Sequence, residues 1–388
     1  MAGRAVIVGV RGREVLDACG GPALEVTVRL ESGAVGRACL RPVPGQSPRS
    51  AAHALETAVG DALVGCDAGD QAAVDGALGV LGLGAGASLA SARAAAAHAG
   101  MPLWRWLDDG ASALPVPMLT LLDGSAGNAL DVRELMVVPW AAESFADAVR
   151  VGVRVYWALG DLLAEVGALR SVGATGAFAP NVPSVEAALE LAETAIERAG
   201  HRPGEDVALA VDAGAARWRF GSGYRLATEC LTLSGPALVA RWADLAEAYP
   251  IAALIDPLGS DDPDGWAALR SRVGHRVQVV GGVALASSGL ASAVTVGLDG
   301  VATLSSLLEL VAEARAGGCG VVLSRAPAET EDPLLADLAV GLQAGQIRAG
   351  GPCRGECTAK YNRLLRIEEA LGDDALYAGH APFRVRVR

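Results

Sequence analysis

Lysine is nearly absent: Lys360 is the only one in 388 residues, and arginine supplies every other strong base. A guanidinium keeps its proton at any ordinary pH, so arginine cannot stand in for a lysine general base. Any mechanism that needs such a base must use Lys360. Histidine is scarce as well; the five, His98 and His275 among them, have no metal-ligand spacing and read as structural or surface residues. No run of Lys and Arg interrupts a chain of net charge -12, which argues against nucleic acid as a partner, since phosphate binding needs clustered cations. Aromatics make up 4% of the chain, and Trp104 and Trp106 in "PLWRWL" read as packing residues rather than a ligand stack.

Long apolar runs are also missing. The opening "MAGRAVIVGVRGR" is broken by Arg11 and Arg13 too early for a signal peptide or a membrane span. The stretch "GALGVLGLGAGASLASA" (76–92) holds few large side chains and reads as a pair of packed small-residue helices. With no lipidation signal at the end of the chain, the expectation is no membrane partner and a cytoplasmic location. Seven cysteines, at 19, 39, 66, 230, 319, 353 and 357, are scattered and odd in number, as expected of reduced thiols. Only "CRGEC" (353–357) is closely spaced, and without a second pair or a nearby histidine it makes a poor zinc signal. "GLGAGA" (82–87) follows no strand and precedes no suitably placed acid, so a dinucleotide fold is excluded.

What remains is rich in core-forming residues, 52% hydrophobic against 20% charged. That proportion suits two or three domains, or one barrel with an extension. The first forty residues alternate apolar and polar in three runs separated by "CGG" and "SG", the pattern of an antiparallel three-stranded meander. Ala- and Leu-rich helical patterns follow, and residues 1–110 are expected to form an α+β cap domain. Residues 111–388 then alternate short apolar strands with amphipathic helices. The strand candidates are "PVPMLTLLDG", "ELMVVP", "VALAVDA", "IAALIDPL", "VQVVGGVAL", "VATL" and "GVVLS", which predicts a TIM-like barrel. In such a barrel the functional rim lies at the C-terminal ends of the strands, where Glu134, Asp212, Asp256, Gly282 and Ser324 fall. At this rim "YPIAALIDPL" sets an apolar residue, Ile255, beside the acid Asp256.

The segment "AETEDPLLADLAVGLQAGQIRAGGPCRGECTAKYNRLLRIEEALG" (328–372) closely resembles the signature region of enolase. Further blocks match in order: "GREVLDACGGPALEV" (12–26), "GASLASARAAAAHAGMPLWRWL" (86–107), "PVPMLTLLDG", "ELMVVP", "GAFAPN" (176–181), "LAVDA" (209–213) and "YPIAALID". The resemblance implies an α/β fold, an enolase-like TIM barrel that opens with a hairpin-like pair of strands and carries an N-terminal α+β cap domain. It also implies a homodimer. Enolase chemistry removes a proton from C2 of 2-phosphoglycerate with a lysine, expels the C3 hydroxyl with help from a glutamic acid, and stabilises the aci-carboxylate with Mg²⁺.

The positions that match that chemistry are mostly emptied of it. Of three metal-binding strand ends the sequence keeps Asp212, with Ile255 and Gly282 at the other two. A single carboxylate implies weak or no Mg²⁺ affinity. Ala174 and Thr175 replace the acid pair, Thr175 at the position of the general acid, and Gly297 stands at that of the lysine base. Lys360 belongs to a terminal barrel helix, away from the rim. Arg325 and Arg348 match substrate-binding positions and suit a phosphate or carboxylate. Glu134 is retained, while "CLRPVPGQS" (39–47) lacks the family's flexible serine loop and "DGSAGNALDVRE" lacks its histidine.

Three readings follow. The first is a pseudoenzyme that binds an anionic small molecule or a protein partner. The second is an enzyme of altered chemistry on a small phosphorylated or carboxylated substrate, with Glu134 or Asp212 as acid/base. The third, which the residues favour least, is a conventional phosphopyruvate hydratase.

Overall fold

The computed structural model describes residues 3–40, 47–79, 84–326 and 329–385. The predicted meander is present as β1 (Ile7–Leu16), β2 (Pro22–Leu30) and β3 (Val35–Leu40), antiparallel in the order β1-β2-β3. One face of β2 is buried through Leu24, Val26, Val28 and Leu30, the period of two expected when only one side of a sheet meets the core. The helix Gly84–His98 lies on this sheet, and its small residues explain how. A Cβ on Gly36 of β3 would collide with the backbone of Ala90 and Ala94, so glycine lets helix and strand meet backbone to backbone. The described parts of the Gly, Ala and Ser run thus fall in two helices, Gln71–Leu78 and the inner packing helix Gly84–His98, and no helix among the described residues is long and apolar enough to cross a membrane.

Short β4 (Ala113–Leu114) precedes the barrel strands β5 (Val116–Asp123), β6 (Glu134–Val138) and β7 (Ala208–Asp212). After β7 a small antiparallel sheet intervenes, made of β8 (Arg219–Phe220), β9 (Gly223–Leu226) and β10 (Leu231–Leu233). The barrel continues with β11 (Ile251–Ile255), β12 (Gln278–Gly282), β13 (Ala293–Gly297), β14 (Gly320–Ser324) and β15 (Gly345–Gly350). It closes in the order β11-β12-β13-β14-β15-β5-β6-β7, and β16 (Leu376–Tyr377) pairs with β4. Strand β6 is antiparallel to both neighbours, so the predicted hairpin-like opening is present. Parallel pairing joins β15 to β5, β7 to β11, β11 to β12 and β12 to β13. The helices between strands start on serine caps: Ser144 accepts from the Asp147 N–H at 3.0 Å and Ser184 from that of Ala187 at 3.1 Å.

One strand expectation is corrected. "VATL" (301–304) is not a strand; the chain pairs earlier, over Ala293–Gly297, where β-branched residues alternate with small ones. Thr303 instead caps the helix Leu304–Ala316, with Thr303 Oγ1 accepting from the Ser306 N–H at 3.2 Å and Ser306 Oγ accepting from that of Thr303 at 2.9 Å. Strand β15 was hidden by its glycines, which bracket "QIRA".

The chain divides into two compact units. The first comprises Met1–Ser112, Gly297–Ala312 and Ser324–Gln343, and the second Ala113–Val296, Glu313–Leu323 and Ala344–Arg388. The sequence set one boundary between residues 110 and 111; the later segments join the first unit through specific polar contacts. Buried Asp75 accepts from the Ser305 N–H and Ser88 from the Leu304 N–H, each at 2.8 Å, and Arg93 pairs with Asp332 at 2.8 Å.

Within the second unit, alternate residues of the barrel strands fill its interior. Val116, Met118, Met136, Val138, Ala210, Ala253, Ile255, Val280 and Val322 form one apolar cluster with Trp140 and Phe383. Toward the strand starts, Gln278 and Gln346 exchange amide hydrogen bonds of 2.8 and 3.2 Å, which satisfies two buried side chains mutually. The remaining polar interior residues gather at the opposite end.

Candidate functional site

Strand register assembles that end. Glu134, the first residue of antiparallel β6, lies opposite both Asp123, the last of β5, and Asp212, the last of β7. Asp212 is in register with Ile255 at the end of β11. A residue at the start of β6 therefore shares the rim with the C-terminal ends of parallel strands.

Arg348 reaches this ring from β15 and is almost wholly buried, 7% exposed. Its Nη2 lies 2.8 Å from Glu134 Oε1 and 2.5 Å from Asp212 Oδ2, and its Nε lies 3.4 Å from Glu134 Oε2. Thr120 Oγ1 donates to Glu134 Oε2 at 2.8 Å. Burial alone would lower the Arg348 pKa, but the Asp212 and Glu134 carboxylates outweigh it, and the pKa stands above that of a free guanidinium. One fixed cation thus bridges the two retained acids.

The two positions beside Asp212 supply no donors. Ile255 is buried among Ala210, Ala253 and Val280, continuing the apolar cluster up to the rim. At Gly282 a Cβ would meet nothing within 4 Å, so the position has space but no ligand atom. Asp212 Oδ2 faces Arg348 and, at 3.5 Å, Arg133, while Oδ1 is buried with no hydrogen-bond partner among the described residues. No group of three or more His, Cys, Asp or Glu placed to hold a metal ion occurs among the described residues. Mg²⁺ requires near-octahedral oxygen ligation. One carboxylate already paired with arginine, flanked by an isoleucine and a glycine, does not fit that ion.

Thr175 is also buried, and it turns toward Asp123: its Oγ1 donates to Asp123 Oδ2 at 2.8 Å and its N–H to the same oxygen at 3.2 Å. The threonine positions a carboxylate and carries no transferable acidic proton of its own near neutral pH. Gly297 closes β13 as a bare backbone position, grouped with the first unit. Arg325 also belongs to the first unit, where it is half-buried and its Nη1 donates to the Ala326 carbonyl at 3.2 Å. Lys360 is buried on the helix Gly355–Leu371, with its Nζ donating to the Glu356 carbonyl at 2.8 Å. Of the sequence-predicted site residues, then, Glu134, Asp212 and Arg348 are joined by ion pairs. Residues 41–46 of the loop that replaces the serine loop, and residues 327–328 beside Arg325, lie outside the described residues.

Asp256 adopts φ +46°, a left-handed conformation that aspartate tolerates better than most residues. Its N–H donates to the Val280 carbonyl and its own carbonyl accepts from the Ala215 N–H, each at 2.9 Å. Burial and the neighbouring Asp212 charge push its carboxyl up to about 6, against the opposing pull of Arg133 and Arg348.

Sequence reasoning missed four residues here: Thr120, Asp123, Arg133 and Arg217. Thr120 lies on the inward period of β5, and Arg133 directly precedes Glu134 in "DVRE", so both carried a signal. Arg217 arrives through a turn that no periodicity announced. Trp218 Nε1 donates to the Asp131 carbonyl at 3.0 Å, and Arg217 Nη2 donates to the same oxygen.

Residues 111–385 match the family model described as Enolase, C-terminal TIM barrel domain, and the chain belongs to that family.

Proposed function

We propose that this chain is a phosphopyruvate hydratase homologue that has given up enolase chemistry and acts by binding, a pseudoenzyme on an enolase barrel. The observation that carries this reading is Arg348, buried between Glu134 and Asp212 with its charge committed to both. Deprotonating carbon next to a carboxylate requires a strong base and a concentration of positive charge on the carboxylate oxygens. The matching positions hold Gly297, Thr175, Ile255 and Gly282. The sole lysine is occupied on a helix of the outer layer. A protein that binds an anion or another protein keeps a use for the barrel and its arginines, and homodimerisation and a cytoplasmic location belong to the same proposal.

The direct test is conversion of 2-phosphoglycerate to phosphoenolpyruvate in excess Mg²⁺, followed by ultraviolet absorbance with protein free of host enolase. The expected result is no turnover above background. One observation favours a second reading, an enzyme of altered chemistry on a small phosphorylated or carboxylated substrate. The Asp256 carboxyl, held near 6 at the rim, is suited to proton transfer near neutral pH. Turnover of such a substrate, lost in Asp256→Asn, would favour it.

A further inference from the structure

A second pair of arginines stands beside the Arg348 bridge, and neither belongs to the set that the enolase resemblance assigned. Arg133 precedes Glu134 and is fixed at its backbone, where its N–H donates to the Asp212 carbonyl at 2.7 Å. Its guanidinium packs on the backbone of Gly214: a Cβ there would lie 2.8 Å from Nη2 and 2.9 Å from Nε. Gly214 has φ +55° and opens the turn Ala215–Trp218, so the glycine serves both the turn and the close approach of Arg133. Three residues on, the Arg217 N–H donates to the Gly214 carbonyl at 3.1 Å, and its Nη2 is held by the Asp131 carbonyl. The same turn is tied to the rim by the Ala215 N–H on the Asp256 carbonyl.

Both guanidiniums are thus positioned by one clamped turn, yet most of their donors are unused among the described residues. Arg133 has a single side-chain ion pair, the 3.5 Å contact with Asp212 Oδ2, and its side chain is 41% exposed. Arg217 spends one N–H group on a neutral carbonyl. Burial and then the nearby Arg133 charge lower the Arg217 pKa, against the opposing pull of Asp212, Asp131 and Asp123. The other oxygen of the Asp212 carboxylate, Oδ1, is a buried acceptor with no partner among the described residues. Two cations with spare donors beside one unsatisfied acceptor match a ligand that presents both a negative oxygen and an O–H.

We propose that Arg133 and Arg217, with Asp212 Oδ1 beside them, form a metal-independent site for a small oxyanion that carries its own hydroxyl donor, such as a hydrogen phosphate or a hydroxy acid. This rests on the proposed non-catalytic reading and names its ligand class. Guanidinium binds such groups bidentately without help from a dication. The lone acceptor distinguishes a protonated oxyanion from one with no hydrogen to donate, because a buried polar group rejects a ligand that leaves it unpaired.

Inorganic phosphate and sulfate are the probes, titrated calorimetrically into the full chain in EDTA near pH 7. Phosphate is expected to bind saturably and more tightly than sulfate, by about ten-fold, the worth of one hydrogen bond to a charged group. Arg133→Gln and Arg217→Gln should each weaken phosphate by roughly ten-fold or more, with Arg133→Lys intermediate because charge without the fork is retained. Circular dichroism and urea midpoints identify any variant that has lost its fold, and Arg133→Lys keeps the test alive if Arg217→Gln does. No saturable binding in EDTA, binding unchanged in both glutamine variants, or equal affinity for sulfate and phosphate would each overturn the proposal. The two readings fail separately: Mg²⁺-dependent turnover of 2-phosphoglycerate refutes the non-catalytic reading, whereas no turnover together with no phosphate binding refutes only this site.

Discussion

Replacing Arg348 with methionine removes a charge from the interior while keeping a side chain of similar length. The guanidinium is the common partner of Glu134 and Asp212, and both acids are buried, at 3% and 0% exposure. Removing one member of a buried ionic group costs about 3–5 kcal/mol, because the partners left behind keep their desolvation penalty and lose the charge that offset it. Here two carboxylates are stranded together, so the upper half of that range is expected. Arg133, at 3.5 Å from Asp212 and partly exposed, is too distant to replace the lost contact. The assay is urea denaturation monitored by fluorescence of the barrel tryptophans, comparing the parent, Arg348→Met, and a triple variant that adds Glu134→Gln and Asp212→Asn. The triple variant should recover most of the loss, since no uncompensated charge remains. A cost below about 1 kcal/mol for Arg348→Met, or no recovery in the triple variant, would refute the claim that this arginine is the resident counter-charge of the rim.

Two further perturbations follow from the same geometry. The Asp256 carboxyl stands at about 6 in the fold, above its ordinary 3.8, so the folded state binds more protons than the unfolded one between those values. Stability should therefore fall as pH rises from about 4 through 6, by up to about 2–3 kcal/mol, and the Asp256→Asn difference in urea midpoint should grow over that window in favour of asparagine. A flat difference from pH 4 to 7 would contradict it. Gly176 has φ +75° and no room for a Cβ against the Cys353 carbonyl, so Gly176→Ala should cost more than about 2 kcal/mol, measured as a fall in urea midpoint.

The fold was legible wherever side-chain period and strand burial agree. The meander of β1 to β3 announced itself because β2 buries every second residue, and β5, β7 and β11 did so as short apolar runs that are buried throughout. The failures share a cause. "VATL" has the composition of a strand, but Thr303 and Ser306 form a helix cap that overrides it, and β15 offers glycines where a strand usually carries branched residues. Composition left Lys360 as the one lysine available to any base, and in the fold its Nζ donates to the Glu356 carbonyl. What sequence could not supply was partnership. Arg348 read as a ligand-binding cation, yet its buried neighbours are the retained acids Glu134 and Asp212, which are far apart in the chain and meet it only through barrel register. Arg217 was invisible because its position depends on a left-handed glycine and one shared carbonyl.

The most direct measurement is turnover of 2-phosphoglycerate by the purified chain with excess Mg²⁺, read as phosphoenolpyruvate absorbance. The account predicts a rate indistinguishable from buffer, and no gain on raising Mg²⁺, because Asp212 is paired with Arg348 and the sole lysine, Lys360, donates to a helix carbonyl. Mg²⁺-dependent turnover that survives removal of host enolase would contradict it.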